Sequence, residues 1–159
     1  MKRKKVNWKP NDIFAIKLIN EKSVVGHILD QHLINTVCIA IYDEIVADTS
    51  NIDINSLINP KDLISLIEVT REKLDFGAWE IIGVKENTIP IEQFPNEQYR
   101  SAKWVNSVMY DAGLAEDFVN AYYGLTPWDD WYDPNFLDEF LISPSKKPDK
   151  LLYKKENSA

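Results

Sequence analysis

Three apolar runs, each of strand length, dominate the first 42 residues of the chain. They are rich in β-branched and aromatic side chains, which favour extended backbone over helix. The runs cover residues 12–20, 23–29 and 35–42, and short polar links separate them. Strands joined by turns this tight pair as an antiparallel meander. Gly26, inside the second run, predicts a bulge or a close approach of another group to the backbone.

Two more strands and a short helix are predicted in the middle of the chain. Residues 63–69 have the alternation of a fourth strand, and residues 78–84 form a fifth β-branched and aromatic run. A short helix is predicted between them, over residues 71–76. Thr70 has the side chain of an N-terminal cap for this helix, and Gly77 is suited to ending it.

The last third of the chain changes from strand patterns to helix patterns. Apolar side chains recur at helical spacing over residues 114–123, with Glu116 and Asp117 in the first turn, where the helix dipole favours acids. A second short helix is predicted to open with Asp133 as its cap and Pro134 at its first position. The chain is therefore predicted to be an α+β protein, with an antiparallel, barrel-like β-sheet of about five strands and a helical, acidic C-terminal segment.

The length of 159 residues is most simply that of a single domain, and it suffices for a core without disulfides. Within this domain we predict a β-rich core over residues 8–100, a helical acidic and aromatic segment over residues 101–145, and a basic tail over residues 146–159. The hydrophobic content of 45% and the charged content of 27% are ordinary for a globular protein and argue against disorder.

The cysteine content and the N-terminus indicate a cytoplasmic protein. Cys38 is the one cysteine, and it lies in an apolar run, which predicts a small buried side chain and not a nucleophile. A chain without disulfides fits a reducing compartment. The basic residues 2–5 precede a polar stretch and not an apolar one, so neither a signal peptide nor a membrane span is predicted.

Residues 111–145 hold eight acids and no Lys or Arg, whereas the whole chain has a net charge of −7. Aromatic rings are interleaved with these acids, most densely at residues 126–134. Because aromatic rings anchor interfaces and charges steer association, the segment predicts a binding surface. The alternative is a helical hairpin whose rings are core and whose acids are solvated. The predicted partner-binding residues are Trp128, Asp129, Asp130, Trp131, Tyr132 and Asp133.

The residue patterns indicate no catalytic centre, no metal site and no cofactor. Gly is scarce, at five residues, and no glycine-rich phosphate-binding motif is present. His27 and His32 are too few for a zinc site, which needs three or four converging ligands. A D-D-x-x-D spacing at residues 129–133 is typical of magnesium-binding helices, but prolines on both sides prevent a long helix there. The net negative charge disfavours nucleic-acid binding.

Four short motifs resemble the immunity protein 26 family, whose members are antidotes to bacterial polymorphic toxins. They are NDIFAI at residues 11–16, VGHIL at 25–29, IAIYD at 39–43 and GAWEIIG at 77–83. The resemblance covers about residues 8–100 and lies mostly in strand patterns. Asn11 replaces the usual Gly of the family, and Asn also tolerates a positive φ.

The resemblance implies a small cytoplasmic protein that binds a cognate toxin and blocks it. Nuclease toxins are typically basic, so an acidic antidote would gain association rate by electrostatic steering. The family name has also been attached to a small phosphotriesterase, so a metal-dependent phosphoesterase is an alternative, with His27 or His32 acting beside the acids at residues 129–133. A peptide-binding or sugar-binding module is a further alternative.

Overall fold

The computed structural model describes residues 4–154; residues 1–3 and 155–159, which include the end of the predicted basic tail, lie outside it. The strands are β1 (Asp12–Lys17), β2 (Ser23–Asp30), β3 (Thr36–Val46), β4 (Leu63–Thr70) and β5 (Glu80–Val84). The α-helices are α1 (Glu72–Asp75) and α2 (Ala112–Tyr122). One-turn and two-turn 3₁₀ helices occupy Ile54–Ser56, Pro60–Asp62, Ile91–Gln93, Glu97–Ala102, Phe136–Phe140 and Pro144–Lys146.

The five strands form one antiparallel sheet in the order β4-β3-β2-β1-β5. This arrangement confirms the predicted α+β class and the predicted meander of β1, β2 and β3. The sheet is open, with β4 and β5 at its edges, so the word barrel-like describes it only loosely. The strand β3 runs to Val46, beyond the predicted end at Tyr42, because its C-terminal half still pairs with β2.

Both faces of the sheet are covered, which explains why its strands are apolar at almost every position. Helix α2 and the segments after it pack on one face, where Ile39 and Val69 lie. The links at residues 52–58 and 89–94 cover the opposite face, where Val25 lies. A strand buried on both sides loses the alternation of a half-exposed strand and keeps a continuous apolar run.

Aromatic rings from the C-terminal segment complete the core on the α2 face. Phe118 of α2 packs against Trp128 and Phe140, with ring centroids 5.8 and 5.4 Å away. Trp79, just before β5, stacks on Phe14 of β1 at 5.2 Å. The acidic C-terminal segment is thus joined to the sheet through a shared hydrophobic core.

The ring of Phe14 also explains Gly26. The two residues lie opposite each other in the β1–β2 register, and the ring crosses the neighbouring strand at the glycine. A Cβ atom at Gly26 would overlap the Phe14 ring. The close approach predicted at Gly26 is therefore confirmed, and the approaching group is an aromatic side chain.

The predicted helix caps are in part wrong. Thr70 does not cap α1, because its hydroxyl accepts a hydrogen bond from the backbone N–H of Ala112 at 2.9 Å and so serves the start of α2. Helix α2 begins at Ala112, two residues before the predicted position 114, and this places Glu116 and Asp117 beyond its first turn.

The segment after α2 is less regular than predicted. The second predicted helix is a 3₁₀ helix, Phe136–Phe140. Asp133 does not cap its first residue; the carboxylate accepts from the backbone N–H of Asn135 at 2.9 Å and makes a tight turn. The described part of the tail, residues 146–154, is joined to this segment: the carbonyl of Leu152 accepts from the backbone N–H of Trp128 at 2.8 Å.

Candidate functional site

Two of the six predicted partner-binding residues lie inside the molecule. Trp128 is 1% exposed, and its Nε1 donates to Oδ1 of Asp138 at 2.8 Å. Asp129 is buried too, and its Oδ1 accepts from the backbone N–H of Lys154 at 2.7 Å. These side chains hold the acidic segment together from within and do not present a surface to a partner.

The other four predicted partner-binding residues reach the surface. Tyr132 is 107% exposed, so its ring has the full access of an isolated residue. Trp131 is half-buried, and its ring is held against Phe136 at a centroid distance of 5.0 Å. Asp130 and Asp133 are exposed. We use the name Trp131 surface for the patch formed by Leu114, Asp117, Asp130, Trp131, Tyr132, Asp133 and Phe136.

Two cavities flank the Trp131 ring. One has a volume of 430 Å³ and an almost entirely apolar wall, formed by Leu114, Trp131, Tyr132, Asp133 and Phe136. The other has a volume of 300 Å³ and is lined by Asp117, Thr126, Pro127, Asp130 and Trp131. The indole is therefore a ridge between an apolar groove and an acidic one. Such a pair of grooves fits a side chain that has an aliphatic stem and a basic head.

The acids of this surface favour a basic partner. Asp130 makes an exposed ion pair with Lys154 at 3.0 Å, and such pairs contribute only roughly 0–1 kcal/mol, so a partner's basic group can replace the lysine. Partial burial raises the pKa of Asp117, and the neighbouring charge of Glu116 raises it further. A cation placed beside Asp117 would relieve both effects.

His27 is a buried structural residue on β2. Its Nε2 lies 3.1 Å from the carbonyl oxygen of Asn11 and 2.7 Å from that of Lys85. Both oxygens are acceptors, so Nε2 carries the proton, while Nδ1 has no hydrogen-bond partner within residues 4–154. Neither His27 nor His32 groups with the acids at residues 129–133 in the described part of the chain. The ligand set of the phosphoesterase alternative is thus not brought together.

A polar cluster lies buried on the sheet face opposite α2. Cys38 of β3 and Glu68 of β4 are register partners, and His32 comes from the turn between β2 and β3. The Sγ atom of Cys38 lies 3.6 Å from His32 Nδ1 and 3.9 Å from Glu68 Oε1. His32 Nε2 lies 3.0 Å from Glu68 Oε1. The side chains of His32 and Glu68 are 5% and 1% exposed.

The surroundings of the cluster hold it rigidly. The hydroxyl of Thr36 and the Nδ2 of Asn96 both donate to the Glu68 carboxylate. Trp104 stacks on the imidazole of His32 with centroids 3.6 Å apart, and the guanidinium of Arg100 lies 4.8 Å above the Trp104 ring. A carboxylate and an imidazole are thereby enclosed under an aromatic cover.

The cluster does not have the geometry of a nucleophilic triad. Burial raises the pKa of the Cys38 thiol, and the charge of Glu68 raises it further, so the sulfur keeps its proton. Glu68 lies close to His32 Nε2, yet that nitrogen makes no bond of hydrogen-bond geometry to any described residue. A base held by a linear hydrogen bond to its carboxylate is what a triad requires. The burial predicted for Cys38 is confirmed, but its neighbours are polar.

Sequence reasoning missed the cluster, although one signal was available. Glu68 is the only charged residue in the fourth predicted strand, and an acid in a buried strand requires partners. Placing that strand beside the third would have brought Glu68 near Cys38. The positions of Asn96 and Trp104 depend on irregular backbone and carry no comparable signal.

Comparisons with family models, with curated proteins and with solved structures find no match for this chain. The resemblance to the immunity protein 26 family accordingly stays a prediction. Within residues 4–154, no helix combines the length and the apolar character that crossing a membrane requires. The fold and the Trp131 surface define a small α+β protein with an acidic, aromatic face.

Proposed function

We propose that this chain is a non-catalytic, cytoplasmic immunity protein, which binds a basic toxin through the Trp131 surface and neutralises it. The observation that carries the proposal is the fully exposed Tyr132 beside the half-buried Trp131. Large aromatic side chains are enriched among the residues that dominate interface energies.

The contacts of the Trp131 surface support binding by two separate means. Tyr132 and the apolar groove beside it supply area that is dehydrated on contact, which favours slow dissociation. Asp117, Asp130 and Asp133 supply negative charge that attracts a basic protein from a distance and speeds association. A basic nuclease has a matching surface, because its substrate-binding site attracts phosphates.

Co-expression tests this function. The chain is produced together with a toxin encoded beside its gene, and growth of the host is followed. Growth is expected to match that of a host without toxin, and the double variant Trp131→Ala/Tyr132→Ala is expected to lose protection. Unchanged toxicity in the presence of the folded wild-type chain would contradict the proposal. Ile34→Ala is the control, since Ile34 is an exposed apolar residue in the turn between β2 and β3.

A further inference from the structure

We propose that His32, Cys38 and Glu68 form a site for a divalent metal ion of the zinc class. The proposal is independent of the immunity function and rests on a different part of the molecule. Their ligand atoms all lie within 4.8 Å of one another, and each residue supplies a different donor element: nitrogen, sulfur and oxygen.

The distances between these atoms fit one central ion. Around a tetrahedral zinc with bonds of about 2.0–2.3 Å, two ligand atoms are separated by about 3.3–3.8 Å. The Cys38 sulfur lies 3.6 Å from His32 Nδ1 and 3.9 Å from Glu68 Oε1. Two of the three donor pairs therefore stand close to the separations of a metal site before any ion is added, and the third pair lies within 4.8 Å. Imidazole and thiolate donors select zinc over magnesium or calcium, which prefer oxygen donors.

The buried charge of the cluster points the same way. Glu68 is a buried carboxylate, and of the four described side chains that contact it (Thr36, Asn96, Cys38 and His32) only His32 can carry a positive charge. A dication bound beside this carboxylate compensates its charge. The cost of burying charged and polar groups falls accordingly.

The residues around the three donors resemble the support of a ligand site. Thr36 and Asn96 fix the carboxylate by hydrogen bonds, as residues around metal ligands commonly do. Lys103 and Trp104 both have positive φ, 54° and 65°, a conformation unfavourable for these side chains. Such backbone strain, roughly 1–3 kcal/mol per residue, concentrates at ligand sites. Here it places the Trp104 ring over the imidazole.

A cavity at the edge of the sheet borders one of the three proposed ligands. Glu68 and Asn96 lie on the wall of a cavity of 470 Å³ between β4, the segment at residues 95–99 and the segment at residues 108–110.

On metal binding, the Cys38 thiol loses its proton to solvent as the sulfur–metal bond forms, so the metal affinity rises with pH. The bound ion would link β3, β4 and the turn before β3.

Cobalt(II) is the probe that tests the site, because it replaces zinc and is coloured. The purified chain is treated with a chelator, dialysed and titrated with Co²⁺. A sulfur-to-cobalt charge-transfer band is expected to saturate at one equivalent and to vanish on addition of Zn²⁺. Since the chain has one cysteine, the wild-type band by itself assigns Cys38 as a ligand. Absence of the band from the folded wild-type chain at millimolar Co²⁺ would overturn the proposal.

Variants separate the ligands from their neighbours. Cys38→Ser is expected to abolish the band, and Glu68→Gln to weaken Co²⁺ affinity at least about 100-fold, since loss of a mere supporting residue already costs about 10–100-fold. Glu97→Gln is the matched control, because Glu97 pairs with Arg100 beside the cluster and is not one of the three donors. The Co²⁺ affinity of this variant should equal that of the wild type. Equal weakening by Glu97→Gln would indicate general electrostatics and contradict the assignment of Glu68.

Thermal unfolding supplies a measurement that does not depend on colour. An ion that binds only the folded chain raises Tm as its concentration rises. Zn²⁺ is therefore expected to raise the Tm of the wild type and of Glu97→Gln. It should leave Cys38→Ser unchanged. An unchanged wild-type Tm at saturating Zn²⁺ would contradict the site.

Discussion

At the scale of single residues, Trp128 and Tyr132 lie four positions apart and occupy opposite environments. Trp128 is enclosed by Phe118 and bonded to Asp138, whereas Tyr132 is fully exposed. Trp128→Ala should lower the free energy of unfolding by about 3–5 kcal/mol, because it leaves a cavity in the core. Tyr132→Ala should change it by less than about 0.5 kcal/mol. Urea denaturation of both variants checks this contrast.

Of these two variants, Tyr132→Ala is the one that tests the proposed binding surface. Loss of stability in Tyr132→Ala comparable with that in Trp128→Ala would mean that Tyr132 supports the fold, and the Trp131 surface would lose its anchor. Equal slopes of the urea transitions are needed as a control, since a changed slope indicates a changed unfolded or folded state.

His27 makes stability depend on pH. Burial lowers its pKa below the ordinary value of 6.5, although the carbonyl oxygens of Lys85 and Asn11 favour the proton. The unfolded chain therefore takes up more protons than the folded chain below pH 6.5. The stabilisation is complete above that pH and is lost as the pH falls toward the lower folded-state pKa, with a slope of at most about 1.4 kcal/mol per pH unit.

Denaturation between pH 7 and pH 5 measures this contribution. The wild type should lose more stability than His27→Gln, whose amide can still donate to a carbonyl but takes up no proton. Parallel pH dependence in the two proteins would show that His27 does not titrate as its burial requires. The difference between the two curves removes the contributions of all other groups.

At the scale of elements, the contact between β1 and β2 depends on one glycine. Gly26→Ala should lower the free energy of unfolding by about 1–3 kcal/mol, because the new methyl group enters the volume of the Phe14 ring. Combining it with Phe14→Leu should recover part of this loss, since the smaller side chain leaves room. Additive losses in a double-mutant cycle would show that the ring is not the obstacle.

The strands were predictable because burial on both faces makes each of them an apolar run with β-branched residues, and this signal is local. The segments that link the strands could not be predicted in this way. The segments that cover the second face contain the short 3₁₀ helices Ile54–Ser56 and Ile91–Gln93, and a single turn carries too few positions to show a helical period. Sequence proximity predicts that Thr70 caps the nearer helix, α1, whereas its hydroxyl accepts a hydrogen bond from the backbone N–H of Ala112, which is 42 residues away in sequence.

The candidate surface was predicted as a segment but not residue by residue. The density of rings and acids pointed to residues 126–134, where Tyr132 is exposed and Trp128 is buried. Which of Trp128 and Trp131 turns inward depends on how a loop flanked by prolines docks on α2, and no local pattern records that docking. The metal-type cluster was missed for a similar reason, since His32 and Glu68 are distant in sequence and meet through strand pairing.

At the scale of the whole molecule, the charge of the Trp131 surface should govern the rate of association with a basic toxin. Association should slow markedly at about 0.5 M salt, where the Debye length is about 4 Å, and dissociation should change less. The double variant Asp130→Asn/Asp133→Asn should mimic the salt effect at low salt. Stopped-flow mixing with the purified toxin measures both rates.

A matched control removes the same charge elsewhere. Glu86→Gln/Glu92→Gln changes the net charge equally but alters exposed acids outside the acidic segment. Its association rate should stay near that of the wild type. Equal slowing in the two double variants would show that net charge, and not the Trp131 surface, steers the encounter.

The affinity of Tyr132→Ala for the purified toxin tests the central claim most directly, because this substitution changes the proposed binding face and leaves the core intact. The account predicts a loss of about 2 kcal/mol, a roughly 30-fold rise in Kd, mainly through faster dissociation. Ile34→Ala, at a side chain 79% exposed and outside the Trp131 surface, should bind like the wild type. Wild-type affinity in a folded Tyr132→Ala, or an equal loss in Ile34→Ala, would contradict the claim that the Trp131 surface is the binding face.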